Sequence, residues 1–221
     1  MRARPSPMPL AVEFFLVVGL TFGLMFCLQL GAVFRSGSAS LGISETTLVQ
    51  TLVFELLTGA GAVWFLRANG WRLQHFHLEY GTHTPGVGLA LFLLVYLMGY
   101  LLYAVMAGFA RQGLFPANPL VHGPLSLPMV LACCVVNPLF EEGILLGYVV
   151  RALDRHGVQF AVGLSVILRF SAHLYQGAWA VATILPMGLL FGLYYWRYRK
   201  LWPPLLAHAL LDLIPLLRNA G

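Results

Sequence analysis

The sequence predicts an all-α fold: a polytopic integral membrane bundle of about seven transmembrane helices, with eight as the upper count. Three observations lead there. The 221-residue chain is 59% hydrophobic and 10% charged, whereas soluble domains carry about 25% charged residues. Several uncharged runs reach about 20 residues, the length that spans a hydrocarbon core of about 30 Å. The basic residues behind the net charge of +5 fall in short loops between those runs, which is a membrane-topology pattern and not a nucleic-acid surface. We read residues 1–221 as a single transmembrane domain, with the lipid bilayer as its surroundings and no nucleic-acid partner.

The first span, residues 10–34, is long and lacks a convincing small-residue cleavage site, so it reads as a retained helix and not a signal peptide. The second covers 47–66. The third, 86–110, carries no charge. The fourth, 128–150, starts sensibly, with Ser126 available as a cap and Pro128 tolerated in the first turn. The fifth covers 158–174, the sixth 179–196 and the seventh 202–217. The last three are short, and are expected to tilt or to be partly embedded. Residues 67–85 form the longest polar connection.

Loop charges orient the chain. With the N-terminus cytoplasmic, that side holds Arg2, Arg4, Arg67, Arg72, Arg151, Arg155, Arg197, Arg199 and Lys200. The other side holds only Arg35, Arg111 and Arg218. The positive-inside rule therefore favours a cytoplasmic N-terminus. Tyr194, Tyr195, Trp196, Tyr198 and Trp202 flank the last basic loop as an interfacial aromatic belt would. Cys27, Cys133 and Cys134 all lie in apolar runs and give neither a disulfide framework nor a zinc ribbon.

Chemistry is signalled by Glu141 and Glu142, adjacent in the middle of the fourth span. A carboxylate near a bilayer centre costs roughly 2.5–3.5 kcal/mol on insertion scales, so two side by side call for a reason. The other ionisable residues within spans are Glu13, Glu55, Arg169, His173, His208 and Asp212. Glu13 lies near the cytoplasmic edge and is expected to reach water. Glu55, near mid-span, is expected to hydrogen-bond to a neighbouring helix or to pair with a cation. Arg169 and His173 are four apart and share a helix face, as do His208 and Asp212. An aspartate at that offset can accept the imidazole N–H and fix the tautomer. Polar groups in lipid must find one another, so these residues are expected to converge.

Depth supports part of that expectation. Glu141 lies about 15 Å along a helix from Arg151, and His208 about 12 Å from Lys200, at 1.5 Å per residue. His173 lies about 26 Å from His156 by the same rise, which is too deep unless the fifth helix is tilted or begins outside the membrane.

Two imidazoles and a carboxylate form a known zinc ligand set, which would place a metal on Glu141, His173 and His208. The same groups can act without metal. One glutamate would take a proton from water, and the histidines would hold the oxyanion that develops on a peptide carbonyl. Two adjacent carboxylates repel one another, and Arg169 is the only cation in the spans able to neutralise them. A proton or ion pathway is the non-enzymatic alternative, although repeated halves are not visible.

The pattern resembles the CPBP intramembrane proteases, the family of CAAX prenyl endopeptidases and of bacteriocin-processing and immunity-associated (Abi) proteins. Its first motif, Glu-Glu followed by Arg and usually Gly, is matched by Glu141, Glu142 and Gly147, with Leu146 at the arginine position. The second centres on a histidine with Phe four residues earlier. Here it reads Arg169-Phe170-Ser171-Ala172-His173, with Arg169 at the phenylalanine position, and the following Leu-Tyr-Gln-Gly resembles a bacterial subgroup. The third, a histidine followed four residues later by Asn or Asp, is matched by His208 and Asp212.

The resemblance covers residues 125–217 and implies an intramembrane endopeptidase that acts on a membrane-associated peptide or protein, in a bacterial plasma membrane. It implies Glu141 as the base that activates water. His173, His208 and Asp212 would position that water and stabilise the oxyanion, with no cofactor and no metal. Glu142 would be the partner of the motif arginine, and Arg169 is expected to replace that arginine from the neighbouring helix. The alternatives are a catalytically weakened relative that binds a membrane partner and a proton-coupled transporter.

Overall fold

A computed structural model of the chain describes residues 5–36, 43–113 and 123–218. Arg2 and Arg4, which enter the charge count above, lie outside the described residues. The described residues form seven helical rods, as the hydropathy pattern predicts. The first is α1 (Leu10–Val18), a π-helical turn (Gly19–Gly23) and α2 (Leu24–Ser36). It is followed by α3 (Glu45–Ala68) and α4 (Thr84–Arg111). Then α5 (Leu127–Glu142) runs on as a π-helical segment (Gly143–Val150). The last rods are α6 (Val158–Ala172), α7 (Ala180–Tyr198) and α8 (Trp202–Leu217).

Among the described residues, five rods are long and apolar enough to cross a membrane, and α6 and α8 are shorter apolar helices. The sixth span is not short after all: with the 3-10 turn before it, it runs Gln176–Tyr198, 23 residues. By contrast the 15 residues of α6 rise only about 22 Å, less than a hydrocarbon core.

Helix starts follow local chemistry. The Ser44 hydroxyl accepts from Thr47 N (3.2 Å), and Ser44 N donates to Thr47 Oγ1 (2.8 Å), a capping box that opens α3 two residues before the hydropathy onset. Ser126 stands at the N-cap of α5, but its hydroxyl does not cap the helix. It donates to Glu45 Oε1 (2.6 Å), and Ser126 N donates to Glu45 Oε2 (3.2 Å). The expected cap is thus a tie between α3 and α5. Prolines occupy the first turns of α4, α5 and α8, where a missing N–H is harmless.

The loops gather at two ends. Gly123 N donates to Ile43 O (2.9 Å) at the end where α3 and α5 begin. At the other end Arg151 Nη1 bonds His77 Nε2 (3.0 Å), Leu201 N donates to His77 O (3.1 Å), and Trp202 Nε1 donates to Leu78 O (2.9 Å). Arg199, in a left-handed conformation that stops α7, is ion-paired to Asp154. In the same region Arg72 N donates to His75 Nδ1 (2.9 Å). Partial burial, with the Arg151 and Arg72 cations nearby, holds the His75 imidazole below its usual range. The basic loops grouped on one side by the sequence therefore do meet.

The fourth rod is the centre of the bundle. Of its apolar window, 56% is buried, against 22% for α3 and for α4. α4 presents Leu93, Leu97, Tyr100 and Leu101 outward, as a lipid-facing helix must. Val149, Tyr148, Leu145 and Leu146 are fully buried and pack with Phe191, Tyr195 and Trp71 in one apolar core. A Cβ added to Gly147 would lie 2.6 Å from the Phe76 ring. Gly147→Ala is therefore expected to cost about 1–3 kcal/mol by overpacking, read as a lower melting temperature in detergent. Gly143→Ala, which meets nothing within 4 Å, is the matched control.

Candidate active site

The site is built from α5, α6 and α8. Glu141 and Glu142 close the α-helical part of α5, where the chain passes into the π-helical segment. Such irregular turns cluster at functional sites because they re-aim side chains. Pro138 stands one turn before them and removes a backbone N–H from the helix. Arg169 sits in the last turn of α6, and His173 just beyond it caps the helix end. Gln29 Nε2 on α2 donates to Ala172 O (2.6 Å) and secures that end.

Arg169 bridges both glutamates. Its Nη1 donates to Glu141 Oε2 and its Nη2 to Glu142 Oε2, each at 2.7 Å. The three side chains are 1%, 3% and 0% exposed, so the ion triad is shielded from water. The geometry neutralises the repulsion of adjacent carboxylates with one guanidinium supplied in trans by the next helix. Leu146, at the position of the motif arginine, is instead fully buried in the apolar core.

The remaining oxygen of each glutamate faces a histidine. His208 Nδ1 donates to Glu142 Oε1 at 2.6 Å. His173 Nε2 faces Glu141 Oε1 at 3.8 Å. His173 Nδ1 lies 2.9 Å from Arg169 O, and a carbonyl can only accept, so the Nδ1 position carries the proton. In the neutral ring Nε2 is then an acceptor directed at Glu141. His173 therefore stands level with Glu141 despite the larger number of residues between it and its loop.

The i,i+4 spacing of His208 and Asp212 does not yield the expected direct hydrogen bond. Their closest approach is 3.6 Å, between Nε2 and Oδ2. The imidazole N–H goes to Glu142, and Asn137 Nδ2 donates to Asp212 Oδ2 (3.0 Å) while lying 3.4 Å from His208 Nε2. Asn137 is not among the site residues expected from the sequence. Its signal was available: Asn137 is one turn before Glu141 and on the same helix face.

The structure thus brings together Glu141, Glu142, Arg169, His173, His208 and Asp212. Glu13 is elsewhere. It is fully buried and accepts from Tyr148 Oη at 3.3 Å, so the expectation that it reaches water is corrected. The cause is that α1 packs its Glu13 face toward the central rod. Glu55 is buried as well, on α3.

Residues 123–214 match the family model of the type II CAAX prenyl endopeptidase Rce1-like proteins. The Rce1-like segment holds all six converging residues, and its limits lie close to the 125–217 read from the motifs. It is shorter than half of the chain and leaves out α1 to α4. No curated protein matches the chain, and no solved structure does. The match supports the resemblance to the CAAX-type membrane proteases, a protease family, and an integral membrane setting.

A metal would have a different ligand set from the one the sequence suggested. Among the described residues, the cluster with ligand spacing is Glu141, Glu142 and His208, whose ligating atoms lie within 4.8 Å of one another. His173 is not in it. These donors fit a metal poorly. Arg169 takes one oxygen of each glutamate, and His208 Nδ1 is committed to another. A zinc ion requires free, deprotonated donors around an open position.

Proposed function

We propose that this protein is an intramembrane endopeptidase that hydrolyses a peptide bond of a membrane-associated substrate with a glutamate-activated water. The observation that carries the reading is the pair of acceptors, Glu141 Oε1 and His173 Nε2, facing each other across 3.8 Å. That gap is too long for a direct bond and fits one water donating a hydrogen to each side. Its oxygen lone pairs are then directed away from both groups, toward a substrate carbonyl.

Glu141 takes the proton as the water oxygen bonds to the carbonyl carbon. The tetrahedral oxyanion is held by the Asn137 amide and by Nε2–H of His208 in its imidazolium form, whose Nδ1–H stays with Glu142, and Asp212 orients Asn137. Collapse breaks the C–N bond, and Glu141 returns the proton to the leaving amine. Glu142 and Arg169 hold the geometry: Glu142 anchors His208 through Nδ1, and Arg169 offsets the charge of both carboxylates. The reading is metal-independent, because the guanidinium already supplies the positive charge at the acid pair. In this reading the chain lies in a bacterial plasma membrane with the N-terminus and basic loops cytoplasmic, acting as one transmembrane domain.

The test is cleavage of a membrane-anchored reporter peptide by the purified protein in lipid nanodiscs. Cleavage is expected to persist in excess chelator. Cleavage abolished by chelator and restored by zinc would return the metal reading. Binding of the peptide without cleavage would favour a catalytically weakened binding protein.

A further inference from the structure

Beside the site, a cavity of about 350 Å³ runs between α3, the 71–78 connection, the fourth rod and the start of α8. Its walls are apolar, among them Gly59, Phe76, Val136 and Ile144, with Arg67 and Arg72 at the loop end. Two polar groups in this wall are nine-tenths or more buried. Glu55 is 2% exposed and Trp71 is 2% exposed. Neither Glu55 Oε2 nor Trp71 Nε1 has a hydrogen-bond partner among the described residues. A polar group buried without a partner is costly, and both of these residues line the same space.

Register ties the cavity to the catalytic end. α3 and α5 run side by side in the same direction, since Glu45 meets Ser126, 81 residues later. The same offset relates Gly59 to Phe140, whose ring lies 3.2 Å from a Cβ built on Gly59. That register sets Glu55 level with Val136, about one helical turn from Glu141. Glu55 accordingly lies within electrostatic range of Glu141, Asp212 and His208.

We propose that Glu55 and Trp71 are paired specificity residues that read the main chain of an apolar peptide segment in this cavity, Glu55 accepting a peptide N–H and Trp71 Nε1–H donating to a peptide carbonyl. An acyl chain matches the walls equally well but offers neither a donor to Glu55 nor an acceptor to the indole. A peptide offers both. The inference rests on the protease reading for its biological meaning, and its geometry stands apart from the scissile bond.

The experiment uses the full chain in nanodiscs and an apolar reporter peptide scanned by single N-methylation, which deletes one N–H at a time. Affinity is read by fluorescence polarisation of the labelled peptide, and cleavage is read separately. One N-methyl position is expected to weaken binding at least about tenfold in wild type, the scale of one lost hydrogen bond. In Glu55→Leu that sensitivity is lost and the parent peptide binds as weakly as its methylated form. Glu55→Gln, which keeps an acceptor oxygen, retains the sensitivity. Trp71→Phe is expected to weaken the parent peptide while keeping the N-methyl effect. Wild-type affinities in both Glu55→Leu and Trp71→Phe would overturn the assignment, as would displacement of the peptide by a plain fatty acyl chain at equal affinity. A protein that binds with this pattern and cleaves nothing would sink the protease reading and leave the subsite standing.

Discussion

Arg169→Leu is expected to abolish proteolysis and to lower stability by about 3–5 kcal/mol, the scale for removing one partner of a buried ion pair. The size follows from the triad. Arg169 donates at 2.7 Å to both Glu141 and Glu142, and all three groups are shielded from water. Without the guanidinium two adjacent carboxylates remain in an apolar interior, and one of them must take up a proton. Thermal unfolding in detergent reads the stability loss, and reporter cleavage reads the activity. A second variant separates charge from packing. Leu146 is one turn after Glu142 on the same helix face, so Leu146→Arg combined with Arg169→Phe restores the family's own arrangement. That double variant is expected to recover part of both losses. Unchanged melting and cleavage in Arg169→Leu alone would end the idea that the guanidinium stands in for the motif arginine.

Glu141→Gln is expected to lower kcat by about 10²–10⁴-fold, the range for a general base, with little change in KM. The amide keeps the shape of the side chain and can still accept from Arg169, so the fold should hold. Glu142→Gln should behave differently. Glu142 Oε1 receives the His208 N–H at 2.6 Å, and its loss loosens His208 instead of removing the proton acceptor. Its kcat is expected to fall less, with a clearer drop in melting temperature. Steady-state kinetics on the two variants, with melting curves alongside, checks the division of roles. Equal kcat losses at equal stability would contradict it.

The rods were legible because lipid imposes one rule on all of them: long apolar runs bounded by charge. The seventh span is found at the predicted 202–217. The ends that moved did so for polar reasons that hydropathy does not weigh, such as the Ser44 capping box that starts α3 early. The converging residues were legible through i,i+4 spacing, which fixes the face of a helix without fixing partners. Spacing therefore paired His208 with Asp212, whereas the fold gave the imidazole N–H to Glu142 and put Asn137 between them. Glu13 was misread because distance from the chain's apolar edge says nothing about which face packs inward. The cavity at Glu55 and Trp71 was not legible, since it depends on the parallel register of α3 and α5, helices that are separated in sequence by all of α4.

The Arg169 bridge also bears on how the chain enters a bilayer. In the family's usual pattern the acid pair and its arginine travel on one helix and arrive already matched. Here the glutamates are on α5 and the cation is on α6, joined by the short turn around Asp154–His156. Neither helix carries a balanced set of charges alone, and each unmatched charge costs roughly 2.5–3.5 kcal/mol at the bilayer centre. The two segments therefore favour partitioning together, as a helical hairpin, over stepwise integration. The substitution at Leu146 has made the unit of membrane insertion larger than a single helix.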